Sequence, residues 1–408
     1  MLEIDHRVIG VKLGLFHQQV EGPGMVFWHP RGWQLYRIIE DYIRDRMREM
    51  GFSEVRTPQL LARSLWEESG HWDKFGKDMY SVTDHDAERA LCLKPMSCPC
   101  HIQLFNKHIR SYNELPLRYC EFGNCHRDEP SGSLHGLMRT RAFTQDDAHV
   151  FCAESQLVTE IGRFCQLLRR VYQDFGFGSY TVALSTRPPH RMGSEQIWDR
   201  AEEALANAAS AAEVEFELRP GEGAFYGPKL EFHLMDGRGR SWQCGTVQLD
   251  FFLPERLNAR FINDQGRQEI PVMIHHAILG SIERFIGILL EHYEGWLPNW
   301  LAPEPLVVST ITTADIPYAL EVAADLKAAG LRVSLDTRAE RLGRKIMDAR
   351  DKCIPLMIVL GARDARERTI SLRHRNGAQE VYNLDDSVPV LRNECGGPLA
   401  FRGKYLEG

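Results

Sequence analysis

The chain has 408 residues, 43% of them hydrophobic, enough for two domains with cores of their own. A net charge of -7 and a pI near 6.2 give no overall positive field, so any nucleic-acid contact must come from local basic patches. Ten scattered cysteines and no signal peptide predict free thiols in a reducing cytoplasm, and no apolar run approaches the ~20 residues that span a membrane.

In chain order, Gly32 to Gly51 is the first long amphipathic helix. Leu35, Ile38, Ile39, Tyr42, Ile43, Met47 and Met50 recur at three- and four-residue spacing, and Gly51 stops it. Glu54 to Pro58 follows as a strand ending in proline. The stretch Leu115–Phe151 reads as a hairpin: a strand through Leu117, Tyr119 and Phe122, a loop at Asp128-Glu129-Pro130-Ser131-Gly132, and a return through Met138 and Phe143. Arg127, Arg139 and Arg141 bracket that loop. Planar, permanently charged guanidinium groups suit phosphate, although Asp128 and Glu129 make a solvated, charge-paired hairpin an equal reading of the same residues.

Ser155–Phe175 and Ser194 to about Ala211 are further helices, the latter capped by Ser194. Between Phe216 and Leu253 strand segments alternate with turns, and from Gly280 a strongly apolar helix runs through Leu290 with Arg284 near its start. Long strands without regular βαβ alternation predict an α+β domain, an antiparallel sheet flanked by helices. The proline-rich run Leu297–Pro305 reads as a linker. Beyond it, strands at Leu306–Ile311, Leu331–Leu335 and Pro355–Leu360 alternate with helices at Tyr318–Ala329 and Ile346–Lys352, which predicts a small α/β domain with a partly parallel sheet. The expected domains are 1–300 and 301–408.

The run Phe122-Gly123-Asn124-Cys125-His126-Arg127-Asp128-Glu129-Pro130-Ser131-Gly132 resembles the second signature motif of class II aminoacyl-tRNA synthetases, in the form of the threonyl-tRNA synthetases. Thr144-Gln145-Asp146-Asp147-Ala148-His149 and Gly280-Ser281-Ile282-Glu283-Arg284-Phe285 extend the resemblance, which runs from about Asp5 to Tyr382. It implies a class II catalytic domain followed by an anticodon-binding-type domain, and an enzyme that activates L-threonine with ATP and Mg²⁺ and passes it to threonine tRNA. By the same resemblance Cys98, His149 and His275 hold zinc, while Gln145, Asp147, Tyr226 and Gln248 line the amino-acid pocket. Arg127 takes the α-phosphate, Arg139 and Arg284 the γ end, Glu129 lies near adenine, and Lys229 reaches the bound substrate. His71 matches a histidine of the transfer step, Gly32–Pro58 the dimer-forming motif of a homodimer, and Arg373 and Asp364 anticodon-reading positions.

The chain departs from that pattern in four places. It opens at the catalytic core, without an N-terminal editing region, so discrimination against serine is expected to rest on one methyl, worth only ~1–3 kcal/mol. Ser97 and Cys100 stand where Asn and Gly are usual, which would put a second thiol beside the zinc ligand to oxidise with it or compete for metal. Asp364 replaces a Glu. The end from Asp385 onward, with Pro389 and Gly396-Gly397-Pro398, is expected not to form the usual terminal helix. Two other readings share these residues: a paralogue, either an inhibitor-resistant copy or one passing threonine to another acceptor, and a non-catalytic tRNA-binding regulator.

Overall fold

The structure, a computed structural model, describes residues 4–83 and 90–398. The chain forms two compact units. One holds Gln18–Val26 and Ile43–Ile288; the other holds the described residues before Gln18, Phe27–Tyr42 and those from Leu289 on.

The first unit is built on eight strands: β1 Ser53–Glu54, β2 Leu117–His126, β3 Ala142–Cys152, β4 Thr181–Ser185, β5 Glu217–Arg219, β6 Lys229–Met235, β7 Ser241–Asp250 and β8 Val272–Ala277. Their spatial order is β5-β4-β6-β7-β8-β3-β2-β1. The run from β4 to β2 is antiparallel throughout, and only the outer pairs β4–β5 and β2–β1 are parallel. This is the expected antiparallel sheet. A helix at Leu157–Asp174 lays Ile161, Phe164, Leu168, Val171 and Tyr172 on one face of it, the i, i+3, i+4 stripe of a core-facing helix. Gly245 in β7 permits that approach: a Cβ there would lie 2.4 Å from Leu168. The opposite face is left to the functional side chains.

Predicted helices move by one to four residues at their ends. Gly32–Gly51 is Pro30–Glu49, Ser155–Phe175 begins after a 3₁₀ turn, and Ser194 caps Glu195–Ala211 by accepting from Ile197 N. The strand expected at Glu54–Pro58 is only Ser53–Glu54, because Thr57 gives its N–H and hydroxyl to Glu121.

The other unit contains a five-stranded sheet: β9 Leu306–Thr310, β10 Val333–Asp336, β11 Leu356–Leu360, β12 Thr369–His374 and β13 Gln379–Asn383, in the order β10-β9-β11-β12-β13. The first three are parallel and the last two antiparallel. Alternation along β9 decides the layers. Leu306 and Val308 pack with Val322, Leu326 and Leu391, while Val307 faces the opposite cluster with Leu342 and Ile346. The helices around this sheet include Ile316–Ala328, Leu342–Asp351, the short Ala362–Glu367 and Leu384–Cys395. The last of these corrects the expectation of a non-helical end. Pro389 sits inside that helix, where it removes one hydrogen bond at a cost of ~3 kcal/mol, yet Leu384, Ser387, Leu391 and Cys395 are all buried on one stripe. Burial of that stripe against the sheet outweighs the local penalty. Among the described residues no helix is long and apolar enough to cross a membrane.

Candidate active site and metal centre

The antiparallel register explains how residues far apart in sequence meet. Lys229 in β6 lies opposite Gln248 in β7, Gln248 opposite His275 in β8, His275 opposite His149 in β3, and His149 opposite Tyr119 in β2. Residues directly opposite share a face, so these five side chains form one row across five strands. Along β3 the same face carries Phe143, Gln145, Asp147 and His149 by the period-two rule.

A cleft of about 340 Å³ opens over that face, and Arg127, Glu129, Arg139, Gln145, Tyr226, Lys229, Gln248 and Arg284 all line it. Arg127 donates to the Pro95 carbonyl at 3.2 Å with its guanidinium over the Phe143 ring at 5.1 Å. Arg284 donates to the carbonyls of Met138 and Gln243 at 2.8 and 2.7 Å. Among the described residues neither arginine pairs with a carboxylate. Burial pushes the Arg284 guanidinium below its ordinary range, and the charges of Arg127 and Arg139 push it further. The cleft therefore concentrates positive charge that a bound anion would neutralise. Arg139 differs, since it is paired with Glu129 at 2.7 Å, and Lys229 is paired with Glu231 at 2.6 Å. The neighbouring Glu283 does not pair with Arg284 and instead accepts from Thr144 N at 2.9 Å.

Arg284 is placed by two buried carboxylates. Asp146 accepts from the N–H groups of Ile278, Leu279 and Gly280 at 2.7, 2.9 and 2.9 Å, which fixes the turn before the helix Ile282–His292, and Glu283 ties the helix start back to β3. Burial raises both carboxyls to about 7 against the pull of these backbone donors. Gly280 has φ +80°, and a Cβ there would stand 2.6 Å from the Cys244 carbonyl, so the turn requires glycine on both counts.

Behind Tyr226, whose ring stacks on His275 at 5.0 Å, the ligand atoms of Cys98, His149 and His275 all lie within 4.8 Å of one another and are buried. His149 Nε2 faces His275 Nδ1 at 3.1 Å. One thiol and two imidazoles at this spacing fit a metal ion with a position left for a further ligand. Burial, with the nearby charges of Asp147 and Asp250, pushes the Cys98 thiol well above its usual range, so a thiolate here requires a cation beside it. His71 is buried at this centre rather than on the cleft wall, with Nε2 3.3 Å from Cys98 Sγ; burial pushes it down to about 3 and keeps it neutral. Asp147 is also buried, 3.7 Å from His149 Nε2.

Cys100 does not share this centre. Two residues along the helix Cys98–Phe105 it points elsewhere, into a cluster with Trp66, Met79 and Cys92, so the expected competition for metal has no geometric basis. Ser97 Oγ is buried without a hydrogen-bond partner among the described residues. On the five-stranded sheet Asp364 is nearly buried and turned onto its own helix start, accepting from Gly361 N at 3.0 Å and from Ser371 Oγ at 2.9 Å. Arg373 is half-buried in β12 and makes no side-chain hydrogen bond or ion pair among the described residues.

Sequence reasoning passed over Phe143, Asp146, Glu283, His101, Glu121 and Asp250. Phe143 was accessible, since it shares the period of Gln145 and Asp147. The carboxylates carry no such signal, because their partners are backbone groups and side chains distant in sequence.

Residues 80–293 match the family tRNA synthetase class II core domain (G, H, P, S and T), and residues 306–394 match Anticodon binding domain. The chain is 52% identical to the threonine–tRNA ligase of Gluconobacter oxydans over 97% of its own length and 61% of that protein's. It is 53% identical to that of Caulobacter vibrioides over 99% and 62%. It thus spans about three fifths of the curated relatives it matches. A crystal structure described as the RNA binding domain of threonyl-tRNA synthetase from Cryptosporidium parvum Iowa II superposes with a TM-score of 0.93 at 39% identity, covering 97% of this chain and 99% of that one.

Proposed function

The chain belongs to the class II tRNA synthetases, and from that premise we propose that it activates L-threonine with ATP and transfers it to threonine tRNA. The observation that carries this reading is the juxtaposition, over one sheet face, of two arginines without carboxylate partners among the described residues and a buried Cys–His–His centre behind Tyr226. The relatives named above as threonine–tRNA ligases support the choice of amino acid.

In this reading Arg127 and Arg284 hold the α- and γ-phosphates of Mg²⁺-bound ATP in line with the amino acid. Arg139 is released from Glu129 toward the phosphates as Glu129 turns to adenine. The threonine carboxylate forms a bond to the α-phosphorus and the bond to pyrophosphate breaks; positioning and charge neutralisation supply most of the acceleration. A ribose hydroxyl of the tRNA then displaces AMP from the carbonyl, the step assigned to His71. Cys98, His149 and His275 would hold zinc, which when bound supplies a Lewis acid for the amino group and hydroxyl of threonine. Asp147, Gln145, Tyr226 and Gln248 orient that substrate, and Lys229 reaches it when freed from Glu231. Valine offers no hydroxyl to these groups and is rejected strongly, whereas a purely apolar pocket discriminates poorly.

The same reading makes the chain a cytoplasmic homodimer through Gly32–Pro58 and divides it near residue 300 into catalytic and anticodon-binding regions, with Arg373 and Asp364 in the latter. Threonine-dependent ATP–pyrophosphate exchange together with charging of purified threonine tRNA tests it. Exchange without charging favours transfer to another acceptor, and neither activity leaves a tRNA-binding regulator. One zinc per chain in protein purified without chelator, and a dimer mass in light scattering, are the accompanying expectations.

A further inference from the structure

An imidazole ligates metal only through a nitrogen that carries a lone pair, so which ring nitrogen bears the hydrogen decides whether His149 and His275 can act. Both rings are buried, and buried networks assign the hydrogen. Lys94 Nζ, a pure donor, gives to Glu121 Oε1 and to Thr57 Oγ1, each at 2.9 Å. Having accepted there, Thr57 Oγ1 turns its own hydrogen to Glu121 Oε2 at 2.8 Å, while Thr57 N–H donates to Oε1 at 2.9 Å. Glu121 is thereby fixed as an acceptor, and His101 Nε2, 3.2 Å away, must donate to it. His101 then presents a lone pair at Nδ1, 2.7 Å from His149 Nδ1, so the hydrogen on that contact belongs to His149. The lone pair of His149 is left on Nε2.

The same logic runs on the other side. Asp250 Oδ1 accepts from Phe252 N and Leu253 N at 2.8 and 2.9 Å, and its Oδ2 takes the hydrogen of His275 Nε2 at 2.8 Å. The lone pair of His275 is left on Nδ1. Those two lone-pair nitrogens are the pair facing each other at 3.1 Å, beside Cys98. With no hydrogen left between them, they repel unless a cation lies there.

We infer that Glu121 and His101, braced by Lys94 and Thr57, together with Asp250, are positioning residues that set the metal affinity of the Cys98–His149–His275 centre by fixing the tautomers of its two histidines. The inference rests on the zinc reading above, and none of these residues lines the cleft. It is tested by titrating zinc against a chromophoric chelator with the purified full chain, and by long-range ¹H–¹⁵N spectra of its metal-free form. His101→Leu and Glu121→Gln are expected to weaken zinc binding roughly ten- to a hundredfold. His101→Asn restores an acceptor near the Nδ1 position and is expected to recover most of the affinity, a rescue that a merely structural role does not predict. The spectra should show the His149 hydrogen on Nδ1 and the His275 hydrogen on Nε2 in the unsubstituted chain, with the His149 hydrogen redistributed in His101→Leu. If the unsubstituted chain binds zinc but carries these hydrogens on the opposite nitrogens, or if Glu121→Gln and Asp250→Asn bind zinc as tightly as it does, the inference is overturned. Should His101→Leu not fold, these two variants and the spectrum still decide. Absence of zinc binding by the unsubstituted chain overturns the zinc reading instead.

Discussion

On the eight-stranded sheet functional side chains stand in a row across antiparallel strands, with Asp250 holding His275 and Glu121 holding His149 through His101, while Asp146 and Glu283 fix the turn and helix start that carry Arg284. In the other unit the two candidate residues differ from each other: Asp364 caps the helix that contains it and is held by Gly361 N and Ser371 Oγ, whereas Arg373 is half-buried and has no such support among the described residues. The contrast fits the two tasks proposed for the chain. Phosphoryl transfer needs charges fixed before the substrate arrives, because reorganisation would raise the barrier. Contact with a long flexible partner tolerates side chains that settle on binding.

The sharpest way to break that contrast is Arg284→Ala. Removing a pre-placed phosphate ligand should lower ATP–pyrophosphate exchange about a thousandfold with little change in melting temperature. A loss below about tenfold would mean that the cleft is not pre-organised around it.

Glu283→Gln probes the cost of the support itself. The folded carboxyl is raised to about 7 from an ordinary value of 4.5, so its contribution to stability is full below about 4.5 and is lost as pH rises through about 7. The penalty at pH 8 is on the order of 3 kcal/mol. The glutamine variant keeps an acceptor for Thr144 N and should flatten that part of the stability profile in chemical denaturation; an unchanged slope would refute the assignment.

Arg373→Ala should raise the KM for tRNA by about tenfold, roughly the worth of one charge-assisted contact, and leave pyrophosphate exchange untouched. An equal effect on both reactions would erase the division of labour between the sheets. The smallest effect is expected from Asp364→Ala, a cap loss of ~1 kcal/mol read by thermal melting, with no further rise in tRNA KM than its destabilisation explains. A large tRNA effect at full stability would instead make Asp364 a reader of the partner.

Periodicity located the main helices, the hairpin strands and the three parallel strands to within a few residues, because apolar stripes and alternation are local properties, but it missed the strands Thr181–Ser185, Val272–Ala277, Thr369–His374 and Gln379–Asn383. The hairpin loop was placed by Pro130 and Gly132, and Arg127 and Arg139 with it. What local pattern could not supply was register: nothing in the spacing of Cys98, His149 and His275 brings them together, and only resemblance pointed there. Local propensity also misjudged Pro389, where a buried stripe overruled the ring, and Cys100, whose helical direction takes it away from Cys98.

The row Lys229–Gln248–His275–His149–Tyr119 bears on which sequence changes this scaffold can absorb. Apart from a register shift between Phe232 and His233 in β6, side chains alternate along these strands, so inserting or deleting one residue between the row and a functional group further along its strand turns that group to the helix-covered face. Substitution can tune this site in small steps, but length cannot. Gain and loss of residues should therefore gather in the turns, such as Asp236–Arg240 between β6 and β7, where a change in loop length leaves the registration of the strands intact.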